Sequence, residues 1–163
     1  MSAGYRVGMG YDLHRLVEGR PLLLGGIEIE HGKGLLGHSD GDALLHALVD
    51  ALLGAVGLGD IGEHFPDTDP RFAGADSSVF VTHVVGLLAD RGFTVGNVDL
   101  TVVAQEPKLS PHRARIRERI AGLLGIPPDR VNVKATTKEG LGPVGEGLAI
   151  EAYAVALVAS EES

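Results

Sequence analysis

ALLHALVDALLGAVGL, running from Ala43 to Leu58, decides how this chain is read. Its residues are good helix formers and hydrophobic on almost every face. Yet His46 and Asp50 sit inside it, and Asp42 stands one turn earlier. The three recur at i, i+4 and i+8, which lines them along one side of a helix, neighbours being about 5–6 Å apart. A buried carboxylate without a partner is costly, so so apolar a helix rarely keeps such a row without a use for it. Working outward, Asp12-Leu13-His14 follows a short strand-like run, Tyr5–Gly10. Alternate residues of an extended segment share a face, so Asp12 and His14 point the same way. With His46 arriving from the helix, Asp12, His14 and His46 make a two-histidine, one-carboxylate metal site whose open fourth position takes water or a substrate oxygen. Asp42 and Asp50 flank His46 as candidates to orient its other ring nitrogen. The alternative is a solvated face or a hydrogen-bonded structural cluster, because spacing does not join distant segments; only the fold can.

Bulk properties narrow the chemistry. The 163 residues are expected to form a single domain, 1–163, large enough for a core without staples. There is no cysteine, which excludes thiolate metal sites, disulfides and cysteine nucleophiles. Any metal must rest on histidine and carboxylate, which suits zinc or another divalent ion. A net charge of −8 without a basic run argues against nucleic-acid binding. Glycines and Asp50 interrupt the apolar stretch, so no membrane span is expected, and the N-terminal residues lack a secretory pattern. A cytoplasmic location is the expectation.

Along the chain, Tyr5–Gly10 reads as a strand, and Pro21–Leu24 with Ile27–Glu30 as a hairpin around Gly25-Gly26. A loop, His31–Gly41, follows, with Ser39 or Asp40 placed to cap the long helix. From Gly59 to Ser77 the prolines and aspartates predict no regular element. Asp76 caps a second helix, Ser77–Arg91, stopped at Gly92. Val95–Ala104 alternates as a strand, and Ser110-Pro111 opens a third helix that Gly125 ends. Val131–Thr136, a glycine-rich turn at Gly140–Gly147 and a last strand, Leu148–Val158, complete the order. The fold class is α+β, a mixed β-sheet with helices packed on one face. The last strand is apolar on both faces apart from Glu151 and Tyr153, which predicts a homo-oligomer packing sheet against sheet.

Three segments offer phosphate-binding chemistry. His38-Ser39 precedes a helix N-terminus, where free N–H groups favour an anion. Lys134-Ala135-Thr136-Thr137-Lys138-Glu139 ends a strand with hydroxyls, cations and a carboxylate; a carboxylate among phosphate ligands indicates a hard cation such as Mg2+. A solvent-exposed strand end accounts for the same residues, and on sequence alone it is the favoured reading. Ala104–Ser110 carries Lys108 after a strand, and a capping turn explains it equally well. Gly8-Met9-Gly10 lacks the third glycine and following helix of a dinucleotide fingerprint and is rejected as one.

GYDLHRL, LLGHSDGDALLHALVDALLGAVGLGDIGEHFPDTDP, GNVDLTVVAQEPKL and VNVKATTKEGLG resemble, in order and from about Tyr5 to Val158, the 2-C-methyl-D-erythritol 2,4-cyclodiphosphate synthase family of the non-mevalonate isoprenoid pathway. The resemblance implies a homotrimer whose sheets face a central cavity, with active sites between adjacent subunits. It implies closure of 4-diphosphocytidyl-2-C-methyl-D-erythritol 2-phosphate to the cyclic diphosphate with release of CMP. On this chain the Zn2+ ligands become Asp12, His14 and His46, and Glu139 contacts a Mg2+ or Mn2+ ion on the diphosphate. Thr136 and Thr137 match phosphate and cytidine contacts. Ala104, Pro107, Lys108, Leu109, Ser110 and Ala135 match the cytosine pocket. Asp60, Ile61, Gly62, Phe65, Pro66, Asp67 and Asp69 match the wall around methylerythritol. His38 and Ser39 match a loop over the phosphate, with His38 and Thr137 taken as catalytic. The family's aromatic and arginine after the ATT strand are missing from LGPVGEGLAIEA, Leu141 to Ala152, so a polyanion site in the central cavity loses its arginine here. Glu151 is expected as a paired or hydrogen-bonded carboxylate facing the trimer interior. No fused nucleotidyltransferase is expected.

Two rivals stay open on the residues alone. A zinc hydrolase uses the same ligand set to activate water, with Asp60 a candidate base. A trimeric ligand-binding module would use the pockets without chemistry.

Overall fold

Tyr5–Glu18 forms one long strand, β1, in the computed structural model, which describes residues 4–160. The sequence reading ended this strand at Gly10. It continues because β7 (Ala149–Ser160) pairs with it antiparallel from Tyr5 to Arg15, and β4 (Lys33–Leu35) takes over from Leu16 to Glu18. Asp12 and His14 therefore lie inside a paired strand, which holds them more rigidly than a loop would. β4 also interrupts the stretch read as a loop. The ribbon of β2 (Leu22–Leu24) and β3 (Ile27–Ile29) turns at Gly25 and Gly26, both at positive φ. With β5 (Phe93–Val103) and β6 (Val131–Thr136), the main sheet has the order β4-β1-β7-β5-β6; β5 and β6 run parallel and the other pairs antiparallel.

The helices are α1 (Ala43–Ala55), α2 (Ile61–His64), α3 (Ser78–Asp90), α4 (Arg113–Leu124) and α5 (Gly142–Gly145). Asp42, rather than Ser39 or Asp40, caps α1, its carboxylate accepting from the Leu45 N–H at 3.0 Å. The segment expected to lack regular structure contains α2 and a 3-10 turn, Pro70–Phe72, each opened by an aspartate cap, Asp60 and Asp69. Such one-turn elements are too short for hydrophobic periodicity to reveal them. Ser77, not Asp76, is the N-cap of α3, although Asp76 still accepts from the Ser78 N–H at 2.9 Å; Gly125 ends α4 in the left-handed region, as expected.

α1 lies across β1 and β7 and buries Leu44, Leu45, Leu48, Leu52 and Leu53 completely. Each such side chain contributes about 1.5–3 kcal/mol relative to exposure. Glycine at positions 8 and 10 lets the two backbones touch: a methyl group there would lie 1.9 Å from the Ala51 oxygen and 1.8 Å from the Ala47 oxygen. Those glycines thus serve helix–strand contact, not phosphate binding. The opposite face of β1 presents Tyr5, Val7, Met9, Tyr11 and Leu13 to solvent, with Val155 of β7 beside them. Helices cover one face, as read, and the other carries an open apolar stripe. Among the described residues, no helix is long and apolar enough to cross a membrane.

Candidate active site

Asp12 and His14 project from the helix-covered face of β1, and His46 meets them from α1. Asp12 Oδ2 lies 2.7 Å from His14 Nε2 and 3.1 Å from His46 Nδ1, and the two ring nitrogens are 3.2 Å apart. His14 Nδ1 contacts the Leu36 carbonyl at 2.8 Å. A carbonyl can only accept, so Nδ1 carries the proton and the neutral ring leaves a lone pair on Nε2. That lone pair faces a carboxylate oxygen, an arrangement that calls for a proton or a metal ion between them. Burial pushes the Asp12 carboxyl up, but the His14 and His46 rings beside it, donors to the carboxylate when protonated, outweigh it and hold the group below its ordinary range. Burial likewise depresses His14, and the hydrogen bond and charge of Asp12 more than reverse it. Both the donor set and its convergence suit a divalent cation.

Neither Asp42 nor Asp50 orients His46. The fully buried Asp42 carboxylate accepts from Gly25, Gly26 and Leu45 N–H groups at 3.0, 2.7 and 3.0 Å, tying the β2–β3 turn to α1. Burial pushes its pKa up. Asp50 accepts from the Ile61 N–H at 2.8 Å and so fastens α2 to α1. The far nitrogen of His46, Nε2, instead meets Ser77 Oγ at 2.8 Å and Ser39 Oγ at 3.1 Å. Ser77 stands 31 residues from His46, and no spacing rule connects them.

A cavity of about 400 Å³ opens over the three donors. His38, Ser39, Ile61, Gly62, Phe65, Pro66 and Asp67 line it, together with Phe72 and Phe80, which sequence reasoning missed. Phe65 stacks on Phe80 at 4.4 Å and Phe72 meets both edge-on, giving the cavity a stiff apolar wall. Asp69 braces the rim: its carbonyl lies 2.8 Å from His38 Nε2, while its carboxylate pairs with Arg71 at 2.7 Å. Asp60 caps α2, accepting from the Glu63 N–H at 3.1 Å.

The remaining candidates except Glu139 gather around a second cavity of about 220 Å³. Ala104, Pro107, Lys108, Leu109 and Ser110, with Gln105 of the same segment, form one side and Ala135, Thr136 and Thr137 the other, with Arg113 as an unforeseen member. The parallel β5–β6 pair explains the juxtaposition, since both chains leave the sheet at the same end. Among the described residues, none lines both cavities. Glu139 follows β6 at φ 53°, its N–H donating to Thr137 Oγ1 at 3.1 Å, while Gly140 N–H reaches Gln105 Oε1 at 3.2 Å. Among the described residues, Asp12, His14 and His46 form the converging group of three histidine or carboxylate ligands, and Glu139 is not part of it.

Glu151 is buried on the open face of the sheet and hydrogen-bonded, as expected. Tyr11 donates to it at 2.6 Å, and Lys138 Nζ lies 3.5 Å away. The bond to Glu151, followed by burial, pushes the Tyr11 phenol up to about 12.

The YgbB family profile matches residues 5–159. A protein of Dechloromonas aromatica, named 2-C-methyl-D-erythritol 2,4-cyclodiphosphate synthase, is 62% identical over 94% of this chain and 96% of its own. One of the same name from Trichlorobacter lovleyi is 59% identical over 94% of this chain and 98% of its own. A solved structure of such a synthase in a CDP-bound form is 46% identical with a TM-score of 0.87, covering 94% of this chain and 99% of that one.

Proposed function

Because the chain belongs to the YgbB family, as an enzyme that cyclises 4-diphosphocytidyl-2-C-methyl-D-erythritol 2-phosphate to 2-C-methyl-D-erythritol 2,4-cyclodiphosphate in isoprenoid biosynthesis, we infer that its two cavities divide this reaction between them. An oxygen of the substrate's 2-phosphate forms a bond to the β-phosphorus. The bond from that phosphorus to the oxygen bridging the α-phosphate breaks, and this oxygen leaves with CMP. No water enters, and no side chain need become covalently attached.

Asp12, His14 and His46 are the residues that would hold Zn2+ or another divalent ion, and Glu139, just after β6, would contact a Mg2+ or Mn2+ ion bound with the diphosphate. Bound cations supply positive charge that neutralises and polarises phosphate oxygens. The protein's own contribution is position. Lys108, Thr136 and Thr137 would grip the nucleotide phosphates, with Thr137 orienting the bond that breaks. Backbone groups of 104–110 and Ala135 would read cytosine. Ile61, Gly62, Phe65, Pro66 and Asp67 would enclose methylerythritol, and His38 and Ser39 would cover its phosphate, with Asp60 and Asp69 fixing the wall. Holding both ends turns a flexible substrate into a near-attack arrangement, an effect worth up to about 7–11 kcal/mol in intramolecular reactions.

One chain keeps the triad and the nucleotide pocket apart, and its apolar sheet face is open. Both fit a homotrimer with sheets around a central cavity, each site taking its triad from one subunit and its nucleotide pocket from the next. A single domain, 1–163, working in the cytoplasm is part of the same proposal. The carrying observation is the three-donor cluster at the floor of the larger cavity.

Phosphorus NMR of the protein with substrate and divalent ions tests it. Coupled cyclic-diphosphate signals appearing with CMP are expected. CMP without cyclic product would replace the reading with hydrolysis, and binding without turnover would replace it with a ligand-binding role. Retention of full turnover by His46→Ala with zinc removed would refute the ligand assignment.

A further inference from the structure

We propose that Asp40 and Ser77 are positioning residues that hold the His46 ring proton on Nε2, leaving the Nδ1 lone pair aimed at Asp12 and His14. The benefit to catalysis rests on the metal reading above; the hydrogen-bond argument does not. Ser77 is fully buried, and its Oγ touches both His46 Nε2, at 2.8 Å, and Asp40 Oδ1. The same carboxylate accepts from the Ser77 N–H at 2.9 Å and the Asp42 N–H at 3.0 Å. An ionised carboxylate can only accept, so the Ser77 hydroxyl proton points at Asp40. The hydroxyl therefore turns a lone pair to His46, and Nε2 must donate. Ser39 Oγ, 3.1 Å from Nε2, has no carboxylate among its partners and can turn its own proton either way.

The direction matters because a competitor exists. Asp12 Oδ2 lies 3.1 Å from His46 Nδ1 and would otherwise draw the proton there, blocking the lone pair a metal needs. Asp40 and Ser77 counter that pull from the opposite side of the ring. They do for His46 what the Leu36 carbonyl does for His14, through a hydroxyl instead of directly.

Nitrogen-15 NMR of the histidine rings in metal-free protein reads the tautomer, with the His46 signals identified by their loss in His46→Gln. The parent is expected to carry its proton on Nε2. Asp40→Asn places an amide where the acceptor stood, lets the hydroxyl turn toward the ring, and should move the proton to Nδ1; Ser77→Ala should do the same. Zinc affinity, measured by competition with a chromogenic chelator, should fall about 10–100-fold in both. Ser39→Ala should leave the tautomer unchanged. Weakened zinc binding without movement of the ring proton would overturn the proposal, since a merely structural role for the α3 terminus predicts that pattern. So would a parent protein protonated on Nδ1. A parent that binds no zinc but shows the same tautomer shifts would support the Asp40–Ser77 pair while defeating the metal reading.

Discussion

Replacing Gly10 by alanine tests whether the seating of α1 on β1 sets the spacing of the metal donors. The added methyl would lie 1.8 Å from the Ala47 carbonyl oxygen and 2.7 Å from its carbon. Side-chain carbons essentially never approach within 3.0 Å, so strand and helix must part by at least 1.2 Å here. The obstructing atoms are helix backbone, and no rotamer relieves them. Gly10 is one strand repeat from Asp12, and Ala47 adjoins His46, so the displacement passes directly to donors that sit 2.7–3.2 Å apart. Overpacking of this kind costs about 1–3 kcal/mol. A misplacement near 1 Å in a reacting site costs on the order of 100-fold in rate. Urea unfolding should therefore show a lower midpoint at unchanged slope, and turnover should fall by about two orders of magnitude. Gly54→Ala in the same helix is the control, because beyond its own helix backbone and chain neighbours its added methyl meets no described residue within 4 Å. That change should be neutral or stabilising by about 0.5–1 kcal/mol. Parental unfolding and parental turnover in Gly10→Ala would refute the claim that backbone contact spaces the donors.

Asp42→Ala should cost about 3 kcal/mol or more in urea unfolding, because it strands three backbone N–H groups around a buried site; a loss below about 1 kcal/mol would contradict this. Tyrosinate absorbance should show one phenol ionising near 12, and Glu151→Gln should bring it back toward 10.0. Since the folded value is raised, stability from this bond is complete below pH 10.0 and is lost as pH climbs toward about 12. Met9→Asp places a charge in the open apolar stripe and should leave the protein monomeric in sedimentation where the parent forms the proposed trimer, with loss of turnover; a variant that still forms the parent's trimer would exclude this face as the interface. Glu139→Gln should raise the Mg2+ concentration needed for half-maximal turnover, and an unchanged requirement would remove Glu139 from that role.

The convergence of Asp12, His14 and His46 was legible because polar residues inside an apolar helix stand out, and because a period-two pair needs only an extended backbone. The extent of β1 was not legible. The strand pattern stops at Gly10 and leaves Asp12-Leu13-His14 as an extended segment; only β7 supplies the partner that makes it paired strand. Asp42 lay in the polar row and was assigned to His46, although Gly25 and Gly26 claim its carboxylate; their N–H groups leave no mark in the pattern of side chains. Ser77 and Phe80 reach the site from α3 by tertiary packing alone. The two-cavity arrangement follows from β5 and β6 ending together, a pairing that residue order does not reveal.

β7 follows the other described strands in the sequence yet lies at the middle of the sheet, between β1 and β5. Ribosomal synthesis therefore leaves the edges that β7 joins, Tyr5–Arg15 and Phe93–Val103, without that partner until residue 160 has cleared the exit tunnel. Native sheet formation is a late event joining segments more than 130 residues apart, a topology that slows folding and invites association of nascent chains. Chaperone dependence in the cell would then follow from strand order, whatever the stability of the finished molecule.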